Sequence, residues 1–538
     1  MTTPITVLVN NINLPLHAPE AEAFAAAARR MRSLGISVSG ASFYLYRRSV
    51  DARRRTDIHF VVTVAVAGLS PVREEILAGA GMSLLMPAMP QIRLGKEKNP
   101  TSPVVVGSGP CGLFAALLLA EHGYRPILLE RGGNVEERRE AAARFRRERI
   151  LDEETNIQFG AGGAGTFSDG KLVTRVGDPG TGYVLERFLE FGAPAEIRYL
   201  AKPHIGTDIL AEIVSRMVEK IRALGGTVLY HTKLTGFLRQ GTRITGVRTT
   251  TGDLPAGAVI LAVGHSARDT YVSLMRDGVS LEAKPFSVGM RIEHRTEDID
   301  RALYGSFAGD PELGHAEYNL SHDTKNRGVY TFCMCPGGEV VAAASEAGGV
   351  VVNGMSEHAR AGKNSNSAVV CSVFREDYGG TPAAAIEFQR GIERAAYRAA
   401  GSDYSAPLVT IGDFLDGTCG TEPSRVLPTY FGGEGCRPVS PDEYLPSFVT
   451  AAIRGALPAF DRRIPGFAAR DAILTGAETR TSAPIRMTRD TTTRLAMGAY
   501  NLYPAGEGAG YAGGITSAAL DGIHSAVALM ARFAPLPD

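Results

Sequence analysis

Three glycines set between a run of valines and a run of alanines and leucines carry the first recognisable chemistry of this 538-residue chain. In the segment GSGPCG, Gly107 allows a tight turn, Gly109 lets backbone approach a pyrophosphate, and Gly112 lets the following helix pack closely on the preceding strand, with Pro110 between the last two. The helix N-terminus adds N–H donors and a partial positive charge, so a phosphate is expected there. Glu130, followed by Arg131, ends the next apolar run 18 residues after Gly112. At that distance a carboxylate accepts hydrogen bonds from a ribose, and it would repel a 2′-phosphate, which argues against NADP at this position.

Three more segments decide between a nicotinamide and a flavin. NIQFGAGGAGTFSDGK, residues 156–171, gathers Gly162, Gly163, Ser168, Gly170 and Lys171 into a loop suited to wrapping an extended cofactor, with Asp169 beside them. AGAVILAVGHSAR, residues 256–268, is an apolar strand ending in a small turn at Gly264. LYPAGEGAGYAGGITSAALDG, residues 502–522, reads as a strand, an acidic glycine turn and a new helix. Here Gly506 and Glu507 are placed for a ribityl hydroxyl, and the helix start at Gly513, Gly514 and Ile515 would aim its positive end at a reduced flavin ring. FAD is therefore the expected cofactor, gripped by turns near residues 110 and 510.

Residues 275–485 lie between the flavin segments and are expected to cap the ring and supply a substrate pocket. Hydride transfer needs a substrate carbon within reach of flavin N5 and groups that hold or neutralise its charge. His265, just after the VGH turn, is a candidate acid or base, or else a turn cap. Arg291 and His294 in SVGMRIEH are candidates to orient an anionic substrate, or ordinary surface charges. Cys333 and Cys335 in CMCPGG are two apart and would share one strand face, as a redox pair or nucleophile, or as two buried small apolar side chains. Glu478, Arg480 and Arg486 fit a pocket wall or an interdomain ion pair.

These residues need a mixed α/β framework to hold them. Residues 4–14, 37–48 and 58–67 read as strands and Glu20 to Leu34 as an Ala-rich helix, a small α+β module. The polar stretch GKEKNPTSP, residues 95–103, ends it. The expected division is 1–98 for this module, 99–274 and 486–538 for the two parts of a discontinuous FAD-binding domain, and 275–485 for an α+β cap. A β-meander is expected from Thr227 to Thr251. The cluster Arg47, Arg48, Arg53, Arg54 and Arg55 reads as a solvated hairpin face or as a seat for a phosphate or carboxylate.

Composition narrows the class. Lys plus Arg and Asp plus Glu each number 57, so nothing in the overall charge draws the chain to nucleic acid or anionic lipid. Glycine makes up 62 of the 538 residues, well above the usual share of about 7%, and its clustering points to backbone brought close to a ligand. Six cysteines with no CxxC spacing suggest neither a disulfide framework nor a structural metal, and the first residues lack a signal peptide's layout, so a cytoplasmic protein is expected.

The turns near residues 110 and 510 resemble those of the glutathione-reductase-like class of flavoproteins. Together NIQFGAGGAGTFSDGKL, KPHIGTD, VILAVGHSARDT, AKPFSVGMRIEH, FCMCPGGEVV, NGMSEHAR and LYPAGEGAGYAGGI resemble a family of uncharacterised FAD-dependent dehydrogenases with an N-terminal α+β extension, over almost the whole chain. The resemblance implies a discontinuous Rossmann-like fold and FAD, and no particular substrate. Cys111 stands where such proteins often carry alanine. A second glycine fingerprint and a CxxxxC pair near residue 150 are both missing from the sequence, so electrons come from an organic substrate, from NAD(P)H bound without its own Rossmann unit, or from a partner protein. The reading is a flavin enzyme acting on a small molecule; the alternative is a flavin-bearing electron carrier or partner-binding protein with no pocket of its own.

Overall fold

The computed structural model describes residues 4–86, 92–99, 101–174, 177–324 and 327–537. They fall into two units. The first comprises Met1–Pro90, Gly177–His204 and Glu297–Ala316, and the second the remainder.

In the first unit the order is strand Ile5–Pro15, helix Glu20–Ser33, strands Ser42–Asp51 and His59–Leu69, helix Glu74–Gly79 and strand Met82–Leu84. The strands form one antiparallel sheet in which the first lies between the third and the fourth and the second is at the edge, a ferredoxin-like βαββαβ arrangement. The helix Glu20–Ser33 buries Ala23, Ala27, Ala28 and Met31, the spacing of one helical face. The second strand starts at Ser42, after a turn at residues 39–40 in which the Ala41 N–H donates to the Val38 carbonyl at 3.2 Å. The arginine cluster is a hairpin face: Arg53 pairs with Asp51 with its side chain 87% exposed, and Arg48 lies over the rings of Phe60 and Tyr199.

The second unit is built on two sheets. One has five parallel strands in the order Leu502–Pro504, Val259–Leu261, Val104–Val106, Ile127–Leu129, Thr227–Leu229. All-parallel strands must be covered on both faces, and the strands VVV, ILL, VIL and LYP are apolar throughout. The helix Pro110–Glu121 is buried from Cys111 to Ala120, which fits a helix apolar on every side, and it packs on the helix Ile515–Arg532. The meander is shorter than expected. Its strands are Leu234–Gln240, Arg243–Thr249 and Gly252–Pro255, while Thr227–Leu229 joins the parallel sheet.

The other sheet has seven strands, in the order Ser321–Thr324, Arg327–Cys335, Asn364–Val373, Phe286–Arg295, Ile473–Glu478, Ala406–Thr410, Cys436–Pro438. Helices Pro382–Ala399 and Ser447–Arg463 pack on it. The strand Phe286–Arg295 lies at its centre and is buried from Phe286 to His294, without alternation, because both faces are covered. Polar groups in it therefore need protein partners. Among the described residues no helix is long and apolar enough to cross a membrane.

Candidate functional site

The parallel strands deliver three glycine turns to one edge. Val104–Val106, Val259–Leu261 and Leu502–Pro504 are neighbours in register, and each runs into a left-handed glycine: Gly107 at φ 99°, Gly264 at φ 76° and Gly506 at φ 76°. The turns are in close contact: a Cβ on Gly508 would stand 2.5 Å from the Gly264 carbonyl oxygen. A Cβ on Gly112 would overlap the Gly107 carbonyl oxygen, and one on Gly522 would overlap that of Cys111, so the helices Pro110–Glu121 and Ile515–Arg532 approach through glycine. Asp521 fixes the last turn by accepting from the Gly506 N–H at 2.7 Å and from Arg489 at 2.7 and 2.9 Å, and it also accepts from Arg494.

The glycine-rich loop closes against this edge. The Gly162 N–H donates to the Ser108 carbonyl at 2.9 Å, a Cβ on Gly163 would meet the Gly109 Cα at 3.0 Å, and one on Gly165 would meet Ile515 at 3.2 Å and Pro110 at 3.5 Å. Thr516, in the first turn of its helix, donates through Oγ1 to the Leu172 carbonyl at 2.8 Å. Ser168 caps the loop end, accepting from the Gly170 N–H at 3.1 Å. Thus the segments around residues 107–112, 156–172, 264 and 506–516 meet in one place.

Glu130 lies inside this junction, 5% exposed. One oxygen accepts from the Ser108 N–H at 2.9 Å and its hydroxyl at 2.6 Å, the other from the N–H groups of Gly132 at 3.0 Å and Gly160 at 2.9 Å. A carboxylate offers about four acceptor positions, so the protein alone engages all of them. Arg131 binds Glu154 at 2.7 Å and Asp269 at 2.9 Å and stacks on Phe159.

Two residues that sequence reasoning missed hold the loop. Arg138 is fully buried and donates to the carbonyls of Asn156, Ile157, Ala161 and Gly163. Burial draws its guanidinium down to about 10. It is one of several arginines in VEERREAAARFRRE, and only its position on the inward face distinguishes it. Arg360 grips Asp169, with Nε at 3.0 Å from Oδ1, and reaches Glu317 at 2.8 Å; Lys171 lies 3.1 Å from Asp169.

The other candidates form two groups. His265 is 8% exposed, and burial holds its imidazole below the usual value while Glu507 pulls the other way. Behind it Arg268 meets Glu393 at 2.7 Å and Glu346 at 3.0 Å, and Arg480 meets Glu393 at 3.0 Å, Ser266 at 3.0 Å and Ser345 at 2.5 Å. Arg480 is held in an ion pair, but with Glu393 of the same expected cap and not with another domain. Arg486 lies over the ring of Tyr511.

The second group contains Arg291 and Cys335, which the structure brings to 3.8 Å. Arg291 is fully buried and donates to Glu478 at 3.0 Å, Asn366 at 2.7 Å, the Cys333 carbonyl at 3.1 Å and Asn353 at 3.3 Å. Burial opposes its charge, but Glu478 and the thiols raise its pKa above the ordinary range. With its donors engaged it braces the cap strands, which replaces the surface-charge reading. His294 binds the Phe467 carbonyl at 2.7 Å. Cys333 and Cys335 do not share a face through simple alternation: a bulge interrupts the strand after Phe332, and Cys333 takes φ 47°.

The site's donor set fits a dinucleotide. A Cβ on Gly109 would meet only the Gly163 Cα, at 3.9 Å, and one on Gly264, Gly513 or Gly514 would meet nothing within 4 Å, so backbone along the strand edge and the helix start faces open space.

Two family models point to the same cofactor. Residues 101–152 match a model described as an FAD binding domain, residues 285–481 one described as FAD-dependent protein, C-terminal domain-like, and residues 7–67 a domain of unknown function. A protein of Clostridium beijerinckii named only as uncharacterized is 41% identical over 98% of this chain and 99% of its own. Among solved structures, NikD, an amino acid oxidase of nikkomycin biosynthesis, is 14% identical over 81% of this chain and 94% of its own, with a TM-score of 0.33. Glycine oxidase from Bacillus cereus is 10% identical over 79% and 94%, with a TM-score of 0.31.

Proposed function

This chain belongs to the family of FAD-dependent proteins that includes its Clostridium beijerinckii relative, and on that premise we propose that it is an oxidoreductase moving a hydride between flavin N5 and a small organic substrate. The observation that carries the reading is the meeting of three glycine turns at the carboxyl edge of one parallel sheet, where open α/β folds bind their ligands. FAD bound there supplies the two-electron centre.

The chain's own part is to bind, orient and move protons. The N-terminus of Pro110–Glu121 faces a pyrophosphate with N–H donors, and Glu130 holds the Ser108 turn to the glycine-rich loop. The start of Ile515–Arg532 places the positive end of a helix of 18 residues at the open backbone of Gly513 and Gly514. His265, whose imidazole burial holds below the usual value, is the group suited to exchange a proton with a substrate. NADH or NADPH is the proposed external donor, with a partner protein as the other source of electrons.

The test is direct. Protein purified without added ligand is expected to be yellow and to release FAD on denaturation, identified by mass spectrometry. Anaerobic mixing with NADH and with NADPH should bleach the flavin band with at least one of them. A colourless protein that does not take up FAD overturns the reading.

A further inference from the structure

The strand Arg327–Cys335 carries a feature that the flavin reading leaves unused. Cys333 is half-buried and Cys335 fully buried, and both are free thiols. In a regular strand Cα atoms two residues apart are about 6.7 Å distant, at the far limit of what a disulfide spans. The bulge and the left-handed backbone of Cys333 break the regular spacing between the two residues, and the Cys335 Sγ lies 3.4 Å from the Cys333 carbonyl oxygen.

The surroundings suit a thiolate. Arg291 Nη1 lies 3.8 Å from the Cys335 Sγ and 3.1 Å from the Cys333 carbonyl, and Lys171 acts on both thiols from the glycine-rich loop. The Cys335 hydrogen bond lowers the Cys333 pKa against the effect of burial, and Arg291 and Lys171 lower it further; Cys335 is raised in turn. Asp169, Glu317, Glu478 and Tyr318 are the other titratable groups around this cluster. A half-buried thiol beside a fully buried one is the arrangement of an attacking and a resolving cysteine.

The position is equally specific. Lys171 precedes Leu172, whose carbonyl accepts the Thr516 hydroxyl in the first turn of the helix that begins beside Gly513 and Gly514. That is the end of the site expected to hold the flavin ring.

We propose that Cys333 and Cys335 form a thiol–disulfide couple that exchanges two electrons with the flavin, Cys333 attacking and Cys335 resolving. The proposal rests on the flavin reading above. In the oxidising direction the S–S bond forms, the S–H bonds of both cysteines break, one proton leaves to solvent, and two electrons with the other proton pass to oxidised flavin, giving the disulfide and anionic reduced flavin. An external dithiol reopens the disulfide: its thiolate attacks the Cys333 sulfur and displaces Cys335, and its second thiol closes the reagent into its own disulfide.

The segment between Arg327 and Arg360 carries these two cysteines alone, so one tryptic peptide reports on the pair. Holoprotein equilibrated anaerobically with oxidised and reduced glutathione is expected to lose two hydrogen masses on that peptide and both alkylation sites together. In a second arm, anaerobic dithiothreitol should bleach wild-type flavin at least about tenfold faster than flavin in Cys333→Ser or Cys335→Ser, at equal flavin content. Yellow protein whose peptide stays fully alkylated at every glutathione ratio, or equal bleaching in all three proteins, overturns the couple and leaves the flavin reading standing. Colourless protein that still forms the disulfide overturns both the flavin reading and the electron exchange, and leaves only the disulfide. A drop in flavin content in both serine variants would make the pair part of the cofactor's support and overturn the redox role.

Discussion

Gly508→Ala tests the junction on which the site depends. Gly508 has an ordinary backbone conformation, so alanine brings no left-handed strain; what it brings is a methyl carbon 2.5 Å from the Gly264 carbonyl oxygen and 2.8 Å from the Gly264 nitrogen and carbonyl carbon. All three atoms are backbone and cannot rotate away, so the turns after Val259–Leu261 and Leu502–Pro504 must part by about half an ångström. Forcing a methyl into packed backbone typically costs about 1–3 kcal/mol. If free protein relaxes by splaying the turns and bound FAD draws them back, the cost appears as a dissociation constant raised about 5- to 150-fold. If the turns cannot splay, it appears as a lower melting temperature of the flavin-free protein.

Measuring both quantities, by fluorescence titration of flavin-free protein and by thermal unfolding, therefore captures the cost wherever it falls. Gly177→Ala is the matched control, since a Cβ there meets nothing within 4 Å. A Gly508→Ala protein that equals wild type in both measurements would show that the turns, some 240 residues apart in sequence, do not abut, and the argument for a single flavin site would fail with them.

Gly109→Val separates folding from binding: its Cβ has a neighbour only at 3.9 Å and its φ is −69°, so stability should stay within about 0.5 kcal/mol while bound FAD is lost; retained stoichiometric flavin would move the pyrophosphate elsewhere. Glu130→Gln turns an NH2 group toward backbone N–H groups and should destabilise even flavin-free protein by about 1–3 kcal/mol, whereas a ribose-only role predicts a melting temperature that changes only when FAD is present. Glu393→Gln leaves Arg268 and Arg480 without their shared carboxylate and should cost about 3–5 kcal/mol near neutrality. Burial opposes the Glu393 charge, but the two arginines hold its carboxyl well below the ordinary 4.5, so its contribution is complete above that pH and is lost as acid protonates the folded state; melting temperatures of wild type should fall more steeply below pH 4.5 than those of Glu393→Gln.

What could be read from the chain alone is what depends on neighbours in sequence. Gly107, Gly109 and Gly112 announce a strand, a turn and a helix because the three jobs fall within six residues. The turn at Gly506 was recognisable for the same reason. The position of Glu130 also followed from spacing, but its partners did not: Ser108, Gly132 and Gly160 come from three segments, and no periodicity relates them. The arginine that secures the glycine-rich loop was hidden among surface arginines, because a helix shows which face is buried only once its neighbour is known.

The cap resisted for a different reason. A strand open to water on one face alternates, and alternation is what makes its register legible; Phe286–Arg295 has neighbours on both sides and both faces covered, so Arg291, Glu293 and His294 look like surface charge while all three are buried. The partner that makes Arg291 tolerable there, Glu478, lies 187 residues further along and reaches it only because Ile473–Glu478 inserts beside the central strand. The bulge at Cys333 is likewise set by pairing with Asn364–Val373, not by local sequence. A buried cation with its donors spent on the cap strands is then what an alternating pattern could not reveal: its charge is available to the thiol beside it, not to a ligand. Chemistry in this half of the protein is therefore a property of strand pairing, and substitutions that shift the register of Arg327–Cys335 against Asn364–Val373 should disturb the thiols before they disturb the flavin.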